Sequence, residues 1–417
     1  MNEKIVPVAE RLRPPVRLGL IDRWMRNAVL RRLEGLTWGG ITIVEGAGTR
    51  SYGVHDGEGQ PEVTVTVHDL RFYGALALGG SVGAAESYMV GDWSCDDLAG
   101  LVRILVRNAS VMFGMEGGLA RLSAAALRLF HWLRRNTREG SRANIHAHYD
   151  LGNAFYELFL DETMTYSCGI FESPSCTLAE ASIEKYDRIC RKLHLSPADH
   201  VVEIGCGWGG FAIHAASRYG CRVTGTTISQ QQYEWATRRV EESGLSDRVR
   251  IVFQDYRDLD GVYDKLVSIE MIEAVGYRYL PTYLRSLDRL LAAGGRIGLQ
   301  VITMPHNRML ASRNTYTWVH KYIFPGGFLP SITLLERTVA AHTALRIVDR
   351  DSFGPHYAHT LRLWLHRFTG NSAGADALGF DRVFRRMWRF YLAYGEAGFA
   401  SGYLDLHQLV LEPRSRA

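Results

Sequence analysis

A chain of 417 residues exceeds one ordinary domain, and a composition 47% hydrophobic and 22% charged excludes a disordered or fibrous polymer. The net charge of +4 excludes a strongly polycationic nucleic-acid binder, and no run approaches the ~20 apolar residues of a membrane-crossing helix. Six cysteines, at 95, 168, 176, 190, 206 and 221, form neither CxxC pairs nor a regular framework, which argues against structural zinc and disulfides. With an Arg-interrupted N-terminus that lacks a signal-peptide core, the chain is expected to be cytoplasmic, any membrane contact being peripheral.

Residues 1–35 read as a basic arm with a partly amphipathic helix around Leu18–Leu33. Lys4, Arg11, Arg13, Arg17, Arg23, Arg26, Arg31 and Arg32 outweigh Glu3, Glu10, Asp22 and Glu34, a face that suits an anionic membrane surface or a nucleic acid as well as plain solvent. In 36–110 the alternating runs Gly40-Ile-Thr-Ile-Val-Glu45 and Glu62-Val-Thr-Val-Thr-Val67 precede helical patterns from Ala84 to Asn108. They predict a small N-terminal α+β domain, a lipid-binding or dimerising module. Residues 111–143, with Arg128, Arg134, Arg135, Arg138 and Arg142, predict a helical basic linker.

Polar and aromatic side chains then crowd a stretch without clean periodicity, Asn144 to Phe171, which reads as a binding loop. His146 and His148 lie in it without a third ligand set nearby, so no metal is expected.

At 200–210 an apolar β-branched run ends in Glu203-Ile-Gly-Cys-Gly-Trp-Gly209 and passes at once into a helical pattern. That is a buried strand, a tight glycine turn and a helix start, with a carboxylate at the strand end. A dinucleotide fingerprint would be G-x-G-x-x-G with an acid ~20 residues on. Here the spacing is G-x-G-x-G and the next strand ends in Val223-Thr-Gly-Thr-Thr227, so NAD is the weaker reading. An acid ahead of the glycines suits the cationic methionyl part of S-adenosylmethionine.

Beyond it, strands at 200–205, 222–227, 249–254, 264–270, 295–303 and 407–412 alternate with helices near 209–219, 229–243 and 278–292, the rhythm of a doubly wound, mostly parallel α/β sheet. Its carboxyl ends, Glu203, Thr227, Asp255, Glu270 to Glu273 and Gln300 to Thr303, are expected to ring one crevice. From Met304 to about Leu345 an aromatic, glycine-hinged insertion reads as a helical lid over an apolar substrate. Trp364, Phe368, Phe384, Met387, Trp388, Phe390, Tyr391 and Tyr394 form a cluster read first as core and second as a lipid channel.

Six motifs in order, Tyr166-Ser-Cys168, Glu203-Ile-Gly-Cys-Gly-Trp-Gly-Gly210, Thr227-Ile-Ser-x-x-Gln232, Gln254-Asp-Tyr-Arg-Asp258, Met271-Ile-Glu-Ala-Val-Gly276 and Lys321-Tyr-Ile-Phe-Pro325, resemble the cyclopropane-fatty-acyl-phospholipid synthases. The resemblance is strong over roughly 140–412 and looser over 36–110. It implies a class I methyltransferase Rossmann-like domain, 144–417. It also implies alkylation by S-adenosylmethionine of the cis double bond of an acyl chain in a membrane phospholipid. A homodimer is also implied, while the basic arm and linker point to an anionic membrane surface and so to work at the inner face of the membrane.

The same resemblance places Tyr166, Ser167, Gly205, Gly207, Gly209, Thr227, Gln232, Asp255 and Tyr256 at the cofactor beside Glu203. It implies a bound bicarbonate, as base and cation stabiliser, at Cys168, Glu273, Gln300, Ile302 and Tyr357, with Cys168 acting through its backbone rather than as a nucleophile. Gln300 departs from the family's histidine and cannot carry a positive charge or take a proton at neutral pH. Proton loss next to the cation closes a cyclopropane. A prior hydride shift gives an exocyclic methylene, which a reductase converts to the methyl branch of tuberculostearic-type acids, and the segments around Glu270 and Gln300 look most like actinobacterial members of that kind. Two other readings stay open: a small-molecule N-methyltransferase on the same fold, and a non-catalytic lipid- or cofactor-binding protein.

Overall fold

The computed structural model describes residues 20–55, 58–108, 151–313 and 315–414. The arm before residue 20, the linker 111–143 and His146 and His148 lie outside them. Two compact units result: Met1–Leu129 with Tyr316–Val319 and Ser372–Ser401, and Phe130–Thr315 with His320–Asn371 and Gly402–Ala417.

The first unit carries a four-stranded sheet in the order β2-β1-β3-β4, with β1 Gly40–Glu45, β2 Gly48–Gly53, β3 Glu62–Val67 and β4 Trp93–Cys95. Period-two alternation buries Ile41, Ile43, Val63, Val65 and Val67 on one face and leaves Thr42, Thr64 and Thr66 partly exposed on the other. A helix begins at Arg71, earlier than the apolar pattern from Ala84 indicates, because Gly74, Gly79, Gly80 and Gly83 interrupt the helical signal; Gly80 takes φ 56° and kinks it.

Helix Arg382–Ala400, at the far end of the chain, belongs to this unit rather than to a continuous 144–417 domain. Its buried face, Met387, Trp388, Phe390 and Tyr391, needs an apolar partner and meets Tyr88, whose ring lies 5.6 Å from that of Phe390. The Arg386 guanidinium stacks 3.9 Å over Tyr88 and donates to the carbonyls of Tyr88 and Trp93 at 2.6 and 2.7 Å. The aromatic cluster of the sequence is thereby divided. Trp364 and Phe368 are buried in the second unit and Trp388 in the first, each as core.

The second unit is built on a seven-stranded sheet, β10-β11-β9-β8-β5-β6-β7. The strands are β5 His200–Ile204, β6 Arg222–Thr227, β7 Val249–Phe253, β8 Tyr263–Ile269, β9 Leu291–Thr303, β10 Leu345–Ser352 and β11 Asp405–Pro413. The five from β9 to β7 are parallel; β11 and β10 are antiparallel additions at one edge. β10 escapes sequence reading because an edge strand is mostly exposed, and Leu-Arg-Ile-Val-Asp-Arg-Asp-Ser reads as charged loop.

Leu266, Ile297 and Val301 of the sheet pack against Leu284, Leu287 and Leu290 of helix Leu280–Leu290, all fully buried. Each such leucine contributes about 1.5–3 kcal/mol. The chain runs outward from β5 through β6 and β7, then returns to β8 on the other side of β5. This reversal opens a crevice at the carboxyl ends of β5 and β8.

Candidate functional site

Two groups of side chains meet at that crevice. The first lines a cavity with Tyr166, Ser167, Glu203, Gly205, Gly207, Thr227, Gln232, Asp255 and Tyr256. Gly205 takes φ 79° where β5 ends, and a Cβ there would stand 2.8 Å from Met271 Cγ, so only glycine lets the turn pass. Gly209 is the exception among the expected cofactor residues: it is not on the cavity wall. Gly209 takes φ 84° as the N-cap of helix Gly210–Tyr219, and a Cβ there would come 3.2 Å from Ala236 Cβ, so glycine serves both the turn and the close packing of helix Gln230–Glu242.

Glu203 is 3% exposed, and its carboxylate accepts from the Ala212 backbone N–H in the first turn of helix Gly210–Tyr219. Its Oε2 has no hydrogen-bond partner among the described residues. Burial pushes this carboxyl up to about 8, against the pull of the Lys185 ammonium. An unpartnered carboxylate oxygen in a cavity wall is the complement of an ammonium group, so the residues present fit S-adenosylmethionine. Thr227 Oγ1 donates to Gln232 Oε1 at 2.8 Å, so the glutamine's remaining donor is its NH2 at the cavity wall. Both Asp255 oxygens are engaged by Arg257, at 2.8 and 2.6 Å, which fixes the loop that carries Tyr256.

Lys185 belongs to the site although none of the sequence motifs contains it. It is fully buried and donates from Nζ to Ser167 Oγ at 2.5 Å, and burial pushes it down to about 8 despite Glu270, Asp161 and Glu203 nearby. Its signal was present: a cation inside the apolar stripe Leu178, Ala181, Tyr186, Ile189 of helix Leu178–Leu193.

These groups set the pH response of binding. Raising the pH toward 8 begins to take the proton from Glu203 and to neutralise Lys185, and both changes make the cavity more negative. Affinity for the ammonium-bearing cofactor is therefore expected to rise between pH 6 and 8 with net proton release, as calorimetry of S-adenosylhomocysteine binding in buffers of different ionisation enthalpy will show. Equal affinity and no proton release would exclude Glu203 as the ammonium partner.

The second group gathers on Glu270, immediately after β8, at φ 50°. A left-handed backbone on a non-glycine residue is a cost accepted where the side chain has a task. Its N–H donates to the Gln300 carbonyl at 2.8 Å. Oε1 accepts from the Cys168 N–H at 2.9 Å and from Gln300 Nε2 at 2.8 Å, and Oε2 accepts from the Tyr357 hydroxyl at 2.5 Å. Burial raises this carboxyl, opposed by the hydrogen bonds from Tyr357 and Gln300 and the charge of Lys185. Glu270 also lines the cofactor cavity.

The bicarbonate implied by resemblance does not fit this arrangement. The Cys168 backbone, Gln300 and Tyr357, three of its expected holders, are all bonded to the Glu270 carboxylate, so the anion is part of the chain. Glu273 and Ile302 form a separate pair, with the Ile302 N–H donating to Glu273 Oε1 at 2.6 Å. Glu273 Oε2 has no hydrogen-bond partner among the described residues, and burial, with Glu270 nearby, pushes the carboxyl up to about 8. Cys168 is enclosed and burial pushes its thiol well up, so what it presents is backbone. The insertion between β9 and β10 carries helices His306–Ser312 and Ile332–His342, and the Phe328 N–H returns to the Glu273 carbonyl at 2.8 Å.

Comparison with known proteins gives three findings. The family described as mycolic acid cyclopropane synthetase matches residues 136–409. Tuberculostearic acid methyltransferase of Mycobacterium tuberculosis is 47% identical over 350 residues, 80% of this chain and 79% of that one; cyclopropane-fatty-acyl-phospholipid synthase of Escherichia coli is 35% identical over 359 residues, 84% and 88%. A crystal structure of a mycolic acid cyclopropane synthase complexed with SAH and CTAB superposes with a TM-score of 0.60 at 34% identity, over 65% of this chain and 97% of that one.

Proposed function

The chain belongs to the mycolic acid cyclopropane synthetase family and is an S-adenosylmethionine-dependent methyltransferase, and on that premise we propose that it methylates the cis double bond of an unsaturated acyl chain in a membrane phospholipid, with Glu270 as the proton acceptor. The single observation that carries the role of Glu270 is its carboxylate, clamped by three donors on the wall of the cofactor cavity.

S-adenosylmethionine, when bound, supplies an electrophilic methyl group. Tyr166, Ser167, Glu203, Gly205, Gly207, Thr227, Gln232, Asp255 and Tyr256 would hold it. An isolated alkene is a weak nucleophile, so the protein's contribution is alignment and exclusion of water. Tyr166, 5.3 Å from Trp364 and 5.2 Å from Tyr156, sets an aromatic wall for this. Glu270 lies ready to stabilise positive charge on the acyl chain and then to take a proton from it. Its donors hold it in place while leaving one Oε2 lone pair for that proton.

The product proposed is the methylene-branched chain, reduced afterwards by a separate reductase. Support comes from the 47% relative, named for a methyl-branched acid, and from the Glu270 and Gln300 arrangement in place of bicarbonate and histidine. The substrate places the enzyme at a bilayer, and the basic arm suits the anionic inner face. Among the described residues no helix is long and apolar enough to cross a membrane.

Purified enzyme given dioleoyl phospholipid vesicles and methyl-deuterated cofactor is expected to yield an acyl chain retaining two of three deuteriums and co-migrating with the methylene standard. Co-migration with cyclopropane would overturn the product. Turnover of an amine without turnover of phospholipid would overturn the substrate in favour of N-methylation.

A further inference from the structure

Behind Gln300 stands a second glutamine with no part in the scheme above. The register of β9 and β11 sets Gln408 opposite Gln300, and each is 1% exposed. Gln408 Nε2 donates to Gln300 Oε1 at 3.0 Å, with a longer contact to the Lys185 carbonyl at 3.4 Å. Gln300 Nε2, at the other end of its amide, donates to Glu270 Oε1 at 2.8 Å and faces the Cys168 carbonyl at 3.3 Å. Gln408 Oε1 has no hydrogen-bond partner among the described residues.

An amide is nearly symmetric in shape and opposite in polarity at its two ends. Turned over, Gln300 would set its oxygen against the Glu270 carboxylate and its NH2 against the NH2 of Gln408. The groups facing Glu270 are the Cys168 N–H and thiol, the Tyr357 hydroxyl, the Lys185 ammonium, the Glu273 carboxyl and Gln300. The backbone N–H and the ammonium have fixed polarity. The Gln300 amide presents a donor or an acceptor according to which end faces inward. Methionine at 408 would fill similar space without stranding an oxygen. What the Gln408 amide adds is therefore its donor.

We propose that Gln408 is a positioning residue that acts through Gln300, locking the Gln300 amide so that its NH2 faces the Glu270 carboxylate. Its catalytic meaning rests on the reading of Glu270 as proton acceptor. The lock itself is a property of the folded chain.

The test is a pH titration of the Glu270 carboxyl by difference infrared spectroscopy, the band being assigned by its loss in Glu270→Gln. This readout needs no turnover. Gln408→Met is expected to raise the midpoint by about one pH unit, a roughly tenfold weakening of the charged form, with S-adenosylhomocysteine affinity within about threefold of wild type. Gln300→Met should raise it likewise, and the double variant should add nothing to Gln300→Met, since the two act in series. Should Gln408→Met fail to bind S-adenosylhomocysteine, Gln408→Thr, too short to reach Gln300, takes its place with the same expectation. A midpoint that moves in Gln300→Met and stays put in the Gln408 variant overturns the proposal. If wild type turns over no unsaturated phospholipid, the functional reading falls while the titration still decides the lock.

Discussion

Glu270→Gln is expected to lower methyl transfer to unsaturated phospholipid by about 10²–10⁴-fold, the range removed with a general base, while S-adenosylhomocysteine binds within about threefold of wild type. The substitution keeps the shape and one oxygen, so the Cys168 N–H can still donate. It removes the charge that opposes a cation and the lone pair that takes its proton. The comparison variant is Glu273→Gln, three residues on, whose carboxyl bonds Ile302 instead of the Cys168, Gln300 and Tyr357 cluster. Expected there is a smaller loss, from disturbance of the loop that binds Phe328. Were Glu273→Gln to abolish turnover and Glu270→Gln to leave it, the base would be Glu273 and the Glu270 cluster a structural tie.

Glu203→Gln is expected to weaken cofactor binding by about 10–100-fold, the equivalent of a hydrogen bond to a charged group at about 1.5–3 kcal/mol, with kcat at saturation nearly unchanged. The proton released on binding should disappear with it. Stability of the cofactor-free protein moves the other way. Because folding raises the Glu203 carboxyl to about 8, the folded state holds more protons than the unfolded one between the ordinary carboxyl range and about 8. The contribution of Glu203 to stability therefore falls as pH rises through that window. The glutamine variant escapes this, so its melting temperature should gain on wild type from pH 6 to pH 9. A variant with unchanged cofactor affinity would place the ammonium elsewhere.

Much of this site is legible before folding. The β-branched run into Gly205-Cys-Gly-Trp-Gly209, with Glu203 ahead of it, specifies strand, turn and helix start through local rules, and Glu203, Gly205 and Gly207 do line the cavity. Gly209 shows the limit: its positive φ belongs to the turn that local rules name, whereas its close approach to Ala236 of another helix is a contact no local rule names. Lys185 is visible as a charge in an apolar stripe, a pattern that signals a buried cation without saying what it meets. Helix Arg382–Ala400 declares its apolar face, and its partner Tyr88 lies some three hundred positions earlier.

Local pattern carries most of the elements, the cofactor turn and the family, though not β10 or the start of the helix at Arg71, because periodicity and glycine turns are written within a few residues of one another. Only in the folded chain do two carboxylates three positions apart acquire different surroundings. Glu270 and Glu273 have the same side chain on the same loop; a positive φ at Glu270 and sheet register bring Cys168, Gln300 and Tyr357, separated from it by 102, 30 and 87 positions, to one of them. Contacts at such separations depend on how strands align and helices dock, and that is settled by the packing of the whole core rather than by any segment of it.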